Sequence, residues 1–256
     1  MRKFGLIGYP LGHSFSKKYF AEKFHNEHIT DCSYENFSLA DISLLPKLIA
    51  DEPDLMGLNV TIPYKRDILR FLDWTEQKAN EIGAVNVVKI NRIGDTAKLD
   101  GYNSDVTGIR DSLLPYIKND VNNAIVLGTG GSSRAVCHVL NKLGINITLV
   151  SRKRKPGISD YSDLDEEMIS NTSLIVNTTP LGMFPDIESL PKINYNLLGE
   201  KHILFDLVYN PELTSFLKMG KRHGCSIISG MKMLHSQAEK AWEIWNNDQI
   251  DNIIDI

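Results

Sequence analysis

Short apolar runs recur along the chain, and stretches with apolar residues at helical spacing separate them. Such runs predict buried strands when turn-forming residues bound them, and helical spacing predicts amphipathic helices. In the first part of the chain the predicted strands are 4–7, 34–39, 57–60, 84–90 and 97–102. The predicted helices are 16–28, a segment capped by Asp41, and a segment that begins at Pro63. Residues 91–95 are rich in turn formers and predict a hairpin between the last two strands.

From residue 105 onward the alternation of strand and helix is more regular. The predicted strands are 124–127, 147–150, 174–176, 203–207 and 226–228. The predicted helices are 105–118, 132–143, 213–222 and a long final helix that begins near Gly230. Short strands alternating with helices indicate a parallel, doubly wound sheet. The sequence therefore predicts an α/β protein whose two halves are connected by the helix at 105–118.

Composition narrows the class of protein. The 256 residues are 42% hydrophobic and 23% charged, with a formal net charge of -4, which is ordinary for a soluble protein. This balance gives no electrostatic reason to expect nucleic acid or an anionic membrane as a partner. No apolar run approaches the ~18–20 residues of a membrane span. Gly8 and Pro10 interrupt the apolar start of the chain, so we expect a first strand there and no signal peptide.

The cysteines indicate the redox environment in which the protein works. Cys32, Cys137 and Cys225 are scattered and form no CxxC pair. We therefore expect a reducing, cytoplasmic location and no disulfide framework. Because neither CxxC nor HExxH spacing occurs, we expect no metal site.

A glycine-rich segment, Gly128-Thr129-Gly130-Gly131-Ser132-Ser133-Arg134-Ala135, directly follows a predicted strand and opens a predicted helix. This context is the one that a dinucleotide-binding turn requires. Gly128 permits the tight turn, and Gly130 lets the backbone approach a pyrophosphate at the helix N-terminus. The third glycine of the fingerprint is replaced by Ser133. We expect the cofactor to contact Gly128, Thr129, Gly130, Gly131 and Ser132; the alternative is a βα turn without a ligand.

The end of the next strand indicates which dinucleotide binds. NAD-dependent enzymes place an acidic residue there for the ribose 2′-hydroxyl. Here the strand ends in Ser151-Arg152-Lys153-Arg154-Lys155, and no acidic residue occurs before Asp160. These cations favour a 2′-phosphate and therefore NADP. The alternative is a solvated basic loop.

Eight short motifs, in order along nearly the whole chain, resemble those of the shikimate dehydrogenase family. The matching segments are Ser14-Phe15-Ser16, Asn59-Val60-Thr61-Ile62-Pro63-Tyr64-Lys65, Gly83-Ala84-Val85-Asn86, Gly101-Tyr102-Asn103-Ser104-Asp105 with Gly108, the glycine-rich turn, Asn177-Thr178-Thr179-Pro180-Leu181-Gly182-Met183, Asp206-Leu207-Val208-Tyr209-Asn210-Pro211, and Gly230 with Met233, Leu234 and Gln237. Related NADP enzymes that act on folates share the architecture but not this full set of motifs.

The resemblance implies two αβ domains around a cleft. Residues 1–104 would form the substrate-binding catalytic domain, 105–230 a Rossmann-like NADP-binding domain, and 231–256 a C-terminal helical segment that packs on the first domain. The implied activity is the reversible, NADP-dependent reduction of 3-dehydroshikimate to shikimate in aromatic amino acid (chorismate) biosynthesis. The expected partners are this small-molecule substrate and, in a homodimer, a second copy; a monomer is the other expectation.

The resemblance also assigns roles to individual residues. Lys65 and Asp105 match the catalytic pair, and Ser14 and Ser16 match the hydroxyls that hold the substrate carboxylate. Further substrate contacts are implied for Thr61, Asn86, Tyr209 and Gln237. Cofactor contacts are implied for Ser151, Arg152, Lys153, Thr178, Leu207 and Gly230. A lysine suits the reaction, because its ammonium can stabilise and then protonate the oxygen on which hydride transfer places negative charge.

Each of these residue types also has an ordinary structural use. Lys65 can be a surface lysine, Asp105 an N-cap, and the serines turn or cap residues. Asn86, Tyr209 and Gln237 can be structural hydrogen-bonding groups. Two departures affect the cofactor site: the family's Asn-Arg-Thr is Ser151-Arg152-Lys153 here, and Pro156 stands where a cation is often found, so that Arg154 or Lys155 would substitute.

Three alternatives remain open at this stage. A dehydrogenase of the same fold can prefer quinate and use cofactors less strictly. A nicotinamide-binding regulator without turnover would not need both Lys65 and Asp105, and their presence argues against it. A folate-type dehydrogenase is disfavoured by the paired serines and by the motifs that contain Asn86 and Asp105.

Overall fold

The computed structural model describes residues 1–11, 15–94, 96–118 and 120–247. The chain divides into two compact units. The first unit contains Met1–Ser104 and the chain from Ala238 onward, and the second contains Asp105–Gln237. The return to the first unit therefore falls inside the last helix. Residues 231–237, which the sequence assigned to the closing segment, belong to the second unit.

The first unit contains a six-stranded sheet with three helices from the first part of the chain. Its elements are β1 (Arg2–Gly8), α1 (Phe15–Asn26), β2 (Cys32–Ser38), α2 (Leu45–Asp51), β3 (Leu55–Val60), β4 (Trp74–Thr75), α3 (Gln77–Ile82), β5 (Val87–Ile93) and β6 (Thr96–Tyr102). The strand order is β2-β1-β3-β5-β6-β4. The strands β1, β2 and β3 are parallel, whereas β5 runs antiparallel to both β3 and β6. The predicted hairpin is present, and its strands extend further into the turn segment than predicted.

The prediction of a helix that begins at Pro63 is wrong. Residues 62–66 form turns, and a short 3-10 helix, Asp67–Phe71, follows them. An α-helix would need the Lys65 carbonyl for a bond within the helix, but that carbonyl accepts from the Val85 N–H at 2.7 Å. A contact with a distant part of the chain therefore overrides the local preference of proline for a first helical turn.

Two features of this unit had no sequence prediction. The strand β4 has only two residues, too few to show any periodicity. The helix α3 is short, and its N-cap residue, Glu76, makes no side-chain cap hydrogen bond. Neither element carries the signals by which strands and helices are found in a sequence.

Both faces of the first sheet are buried by apolar side chains. On one face Ile7 packs with residues of α2 and the 3-10 helix. On the other face an aromatic cluster joins Phe4, Phe20, Tyr34 and Trp245. The Phe4 and Trp245 rings stack with centroids 4.8 Å apart, and those of Phe20 and Tyr34 with centroids 4.6 Å apart. Because Trp245 lies on the helix Gly230–Asn246, that helix completes the core around the first strand.

The second unit is the parallel sheet that the sequence predicted. Its elements are α4 (Asp105–Leu113), β7 (Asn123–Leu127), α5 (Gly131–Lys142), β8 (Asn146–Ser151), β9 (Ser159–Asp160), α6 (Glu166–Ser170), β10 (Leu174–Asn177), β11 (Ile203–Asp206), α7 (Ser215–Arg222), β12 (Ser226–Ile228) and α8 (Gly230–Asn246), of which α8 continues into the first unit. The order is β12-β11-β10-β7-β8-β9, and all neighbours are parallel. The order reverses beside β7, and ligands of such sheets bind at the carboxyl ends of strands at this point.

None of the helices in the described part of the chain is both long and apolar enough to cross a bilayer.

We predict that Gly57→Ala lowers the free energy of unfolding by about 1–3 kcal/mol, the usual cost of overpacking a core. A Cβ at Gly57 would lie 2.3 Å from the Trp245 Nε1 atom. The ring would have to move and would lose its hydrogen bond to the Val88 carbonyl, which is 3.1 Å long. Gly199→Ala is the matched control, because a Cβ there meets no atom within 4 Å. Urea unfolding followed by tryptophan fluorescence measures both, and equal stability of the two variants would contradict the prediction.

Candidate functional site

The strand directions of the first sheet bring several predicted site residues to one edge. Because β1 and β3 are parallel, their carboxyl ends meet there, and the antiparallel β5 begins where they end. The strand β6, antiparallel to β5, ends at the same edge. Thr61 follows β3 and Asn86 precedes β5, and Ser104 follows β6. This edge therefore gathers polar residues from three separate motifs.

Backbone hydrogen bonds fix the residues of this edge. The Thr61 N–H donates to the Ile7 carbonyl at 2.9 Å, and the Val60 N–H donates to the Asn86 carbonyl at 2.8 Å. The Lys65 carbonyl accepts from Val85, as described above. Thr61, Lys65 and Asn86 are thus brought together by the backbone of the first unit. Lys65 and Thr61 are half-buried, and Asn86 is only 3% exposed.

The side chain of Asn86 holds the segment that leads to Asp105. Its Oδ1 accepts from the Ser104 N–H at 2.7 Å, and its Nδ2 donates to the Ser104 hydroxyl at 3.1 Å. Asp105 follows directly as the first residue of α4 and is buried, with 1% of its surface exposed. Asn86 therefore has a structural role in addition to the substrate contact that the motif implies.

Ser14 and Ser16 are the two serines predicted to bind the substrate carboxylate. Ser14 lies outside the described residues. Ser16 lies in the first turn of α1 and is half-buried. The Tyr34 hydroxyl donates to the Oδ1 of Asn59 at 2.7 Å. Sequence reasoning assigned no role to Tyr34 or to its partner Asn59, although Asn59 stands inside a matching motif. Tyr34 comes close to that motif because β2 and β3 both pair with β1, and this pairing cannot be read from the sequence.

The glycine-rich turn has the geometry that its sequence predicts. Gly128 has a φ of +112°, and a Cβ there would lie 2.5 Å from the Thr178 Oγ1 atom. Thr178 in turn donates its hydroxyl to the Leu127 carbonyl at 2.7 Å. The turn therefore requires glycine at position 128, and Thr178 follows the neighbouring strand β10 directly beside it.

The departure at Ser133 has a physical explanation. Its hydroxyl donates to the Gly128 carbonyl at 2.7 Å, and the side chain is buried. The serine thus closes the turn at a position where the family fingerprint uses a small residue for close packing.

The start of α5 fits a phosphate group. Gly130 is the N-cap, makes no side-chain cap bond, and is exposed, and a Cβ there meets no atom within 4 Å. In α5 the first N–H groups and the positive end of the helix dipole therefore face an open space that a pyrophosphate can enter. The residues present fit a dinucleotide.

The basic segment after β8 is not uniform. Arg152 and Lys153 are exposed beyond Ser151. Arg154 instead forms an ion pair with Asp163, in which Nε lies 3.2 Å from Oδ2. Asp163 is held in place because its Oδ2 also accepts from the Asp160 N–H at 2.8 Å. Arg154 is therefore a weaker candidate for the missing family cation than the sequence suggested.

A buried hydrogen-bond network lies under the ends of β10 and β11. Asp206 is fully buried, and its carboxyl accepts from Asn177 Nδ2 and from the Val208 N–H, both at 3.0 Å. The Thr214 hydroxyl donates to its other oxygen at 2.6 Å. Burial nevertheless raises the pKa of Asp206 from 3.8 to about 7. The network fixes the backbone at Leu207, the residue between Asp206 and Val208.

The remaining predicted site residues belong to the second unit. A Cβ at Gly230 would lie 2.5 Å from the Leu207 carbonyl oxygen, so that only glycine fits there. Tyr209 and Gln237 are half-buried, and burial raises the pKa of Tyr209. Among the residues that the structure describes, no group of three or more His, Cys, Asp or Glu side chains is placed to hold a metal ion.

Comparison with known proteins gives consistent results. Residues 6–88 match the family model described as the shikimate dehydrogenase substrate binding domain. The chain is 38% identical to the shikimate dehydrogenase (NADP(+)) of Clostridium beijerinckii over 268 residues, which cover 98% of this chain and 94% of that protein.

Solved structures agree with this result. Shikimate dehydrogenase 1 from Peptoclostridium difficile is 35% identical, with a TM-score of 0.82 and coverage of 98% of this chain and 94% of that one. Shikimate 5-dehydrogenase from Thermus thermophilus in complex with NADP(H) and shikimate is 29% identical, with a TM-score of 0.83 and coverage of 96% and 94%.

We predict that Asp206 makes stability depend on pH. In the folded protein its carboxyl keeps its proton up to about pH 7, whereas an unfolded aspartate releases it near 3.8. Its contribution to the free energy of unfolding is therefore fully present below 3.8 and is lost as the pH rises to about 7. Asp206→Asn removes this dependence while keeping the size of the side chain. Urea unfolding from about pH 4 to 8 should show wild type losing stability relative to the variant; parallel curves would contradict the prediction.

Proposed function

The chain belongs to the shikimate dehydrogenase family, and on that premise we propose that it catalyses the reversible, NADP-dependent reduction of 3-dehydroshikimate to shikimate, a step of aromatic amino acid (chorismate) biosynthesis. The observation that carries the proposal is the gathering of Thr61, Lys65 and Asn86 at one edge of the first sheet. This edge lies in the unit whose residues 6–88 match the substrate binding domain. We therefore assign residues 1–104 to substrate binding and 105–230 to NADP binding.

In the proposed mechanism Lys65 and Asp105 form the proton-transferring pair. NADPH, when bound, supplies the hydride that reduces the ketone carbon of the substrate. The Lys65 ammonium stabilises the negative charge that develops on the ketone oxygen and then protonates it. Asp105 orients the ammonium and shares its proton. In the reverse direction the neutral amine of Lys65 takes the hydroxyl proton of shikimate, and bound NADP would accept the hydride.

The substrate is held by groups outside this pair. We assign the carboxylate to the hydroxyls of Ser14 and Ser16, since hydrogen bonds to a charged group are the stronger kind. Thr61 and Asn86 contact the ring hydroxyls, as do Tyr209 and Gln237. Half-burial of Thr61 and Ser16 supports this assignment, because a half-buried hydroxyl is both ordered and reachable.

For NADP we assign the pyrophosphate to residues 128–132 and the 2′-phosphate to Ser151, Arg152 and Lys153. Exposure of Arg152 supports the second assignment, because its planar guanidinium matches phosphate geometry with paired hydrogen bonds. Thr178, Leu207 and Gly230 are assigned to the nicotinamide end. The buried network around Asp206 supports a fixed backbone there.

We also propose a cytoplasmic location. Cys32, Cys137 and Cys225 are all free thiols, as a reducing compartment would leave them.

The test of the proposed function is turnover. Purified protein should reduce NADP when it is given shikimate, and Lys65→Met should lower kcat by about a hundredfold or more, the scale of a general acid–base contribution. The Michaelis constant should change far less. Lys47→Met is the matched control, because Lys47 is exposed on α2 and pairs with Asp51. Absorbance of reduced nicotinamide measures both. Absence of turnover with shikimate and with quinate between about pH 7 and 10 would exclude the proposal.

We further predict that Arg152→Ala narrows the preference for NADP over NAD at least tenfold, or about 1.4 kcal/mol. Loss of the guanidinium should weaken NADP binding and leave NAD nearly unchanged. Arg154→Ala is the control and should have the smaller effect, since Asp163 holds that side chain. The measurement is kcat/KM for both cofactors at low and moderate salt. Equal weakening of NADP and NAD by Arg152→Ala would show a general electrostatic attraction and exclude specific recognition.

A further inference from the structure

The peptide group between Ala84 and Val85 is hydrogen-bonded on both of its sides. Its carbonyl accepts from the Nδ2 of Asn103 at 2.8 Å, and its N–H donates to the Lys65 carbonyl at 2.7 Å. A trans peptide group is planar, and its C=O and N–H point in opposite directions. Asn103 and the backbone of Lys65 are therefore held on opposite sides of one rigid unit.

Asn103 is itself fixed at the edge of the first sheet. The residue follows β6 directly and is 1% exposed. Its N–H donates to the Oε2 of Glu76 at 3.3 Å, and the Glu76 N–H donates to the Gly101 carbonyl at 2.9 Å. The Asn86 N–H donates to the Tyr102 carbonyl at 3.1 Å, which extends the pairing of β5 with β6 up to Asn103. The side-chain amide of Asn103 thus starts from a backbone that several bonds restrain.

The backbone of Lys65 depends on the contact from Val85. Residues 62–66 form turns and not a helix, so the regular hydrogen bonds of a helix do not set the position of Lys65. The place that the ammonium can reach follows from where this turn lies. A misplacement of a reacting group by about 1 Å can lower a rate a hundredfold. A small shift of the Ala84–Val85 peptide group would therefore reach the chemistry through Lys65.

Asn103 also belongs to the segment that leads to Asp105. Only Ser104 stands between them, and its N–H and hydroxyl are bonded to the side chain of Asn86, as described above. One short segment therefore carries the Asn103 amide and continues into the second member of the proposed proton-transferring pair. Asn103 stands in a family motif, but no role in the proposed reaction was assigned to it above.

We propose that Asn103 is a positioning residue that holds the turn of Lys65, through the Ala84–Val85 peptide group, against the segment that leads to Asp105; this inference rests on the proposed function. Two hydrogen bonds on one peptide group polarise each other, so the bond from Asn103 strengthens the bond from Val85 to Lys65. Without the amide, the buried Ala84 carbonyl would lose a donor, and the peptide group would tilt toward another one. Lys65 would then move with it.

The first part of the test is steady-state kinetics of Asn103→Ala. The variant should oxidise shikimate with a kcat about tenfold lower or less, because Lys65 is displaced from the reacting oxygen. The KM for shikimate and the KM for NADP should change by less than about threefold, as expected when only the transition state loses an interaction. A general disturbance of the first unit would instead raise the KM for shikimate as well.

The second part is a double-mutant cycle with Lys65→Met. In the Lys65→Met background Asn103→Ala should lower the residual kcat by less than about twofold, because both changes act through one group. A role of Asn103 in the fold alone would lower the rate by the same factor in both backgrounds.

Asn123→Ala is the matched control. Its Nδ2 also donates to a backbone carbonyl, that of Asn171 at 3.0 Å, but at the start of β7 in the second unit, and its loss should leave kcat unchanged. If Asn103→Ala does not fold, as judged by circular dichroism, Glu76→Ala removes the acceptor of the Asn103 N–H. Glu76 is half-buried, and this variant should lower kcat about threefold, the scale of one weak hydrogen bond.

The outcomes separate the two proposals. Turnover of shikimate with an unchanged kcat in Asn103→Ala, or in Glu76→Ala where that variant replaces it, would overturn the role of Asn103 and leave the proposed function standing. Equal falls in kcat with and without Lys65 would also overturn it, because Asn103 would then act on the fold and not through Lys65. A wild-type protein without turnover would overturn both proposals.

Discussion

The first unit depends on hydrogen bonds that hold the start of β5 against the end of β3. The carbonyl of Lys65 accepts from Val85, and the carbonyl of Asn86 accepts from Val60. These bonds arise because β5 enters the sheet antiparallel to its neighbour β3. The direction of one strand therefore determines which motifs share an edge. The same strand direction prevents the helix that Pro63 would otherwise begin. Lys65 lies instead in a turn that is held by the hydrogen bond from Val85.

The second unit also gathers its predicted site residues at one edge of a sheet, but by a different arrangement of strands. Its strands are parallel, so their carboxyl ends meet at one edge without any reversal. The glycine turn after β7 leaves space for a ligand, and the loops after β10 and β11 are fixed by polar atoms under them. Asn177 and Thr214 satisfy the buried Asp206 carboxyl, and this network restrains the backbone on either side of it. One unit thus relies on strand direction and the other on a buried polar network.

The sequence predicts the parts of this structure that depend on local pattern. The strands β7, β10 and β11 were located to within a few residues, since each is a short apolar run buried on both faces. The two-residue strand β9 had no sequence prediction. The helix from Pro63 failed because a tertiary hydrogen bond removed its acceptor, and β4 was too short to give a signal. The ion pair of Arg154 with Asp163 could not be foreseen, because the side chain to which a cation turns is a matter of loop geometry. The hydrogen bond of Tyr34 to Asn59 was missed for a similar reason, because neither the spacing of Tyr34 nor its neighbours in sequence relate it to Asn59. The roles assigned to the site residues remain predictions.

The last helix has a consequence for the synthesis of the chain. Phe4 is synthesised long before its stacking partner Trp245. The aromatic core of the first unit therefore cannot close until Trp245 has been added, and by then all residues of the second unit, Asp105–Gln237, have been made. This differs from the usual order, in which the N-terminal part of a protein completes its folding first. Until Trp245 has been added, the strands that begin with β1 have an uncovered apolar face, and a nascent chain that stalls within α8 would present that face to chaperones and proteases.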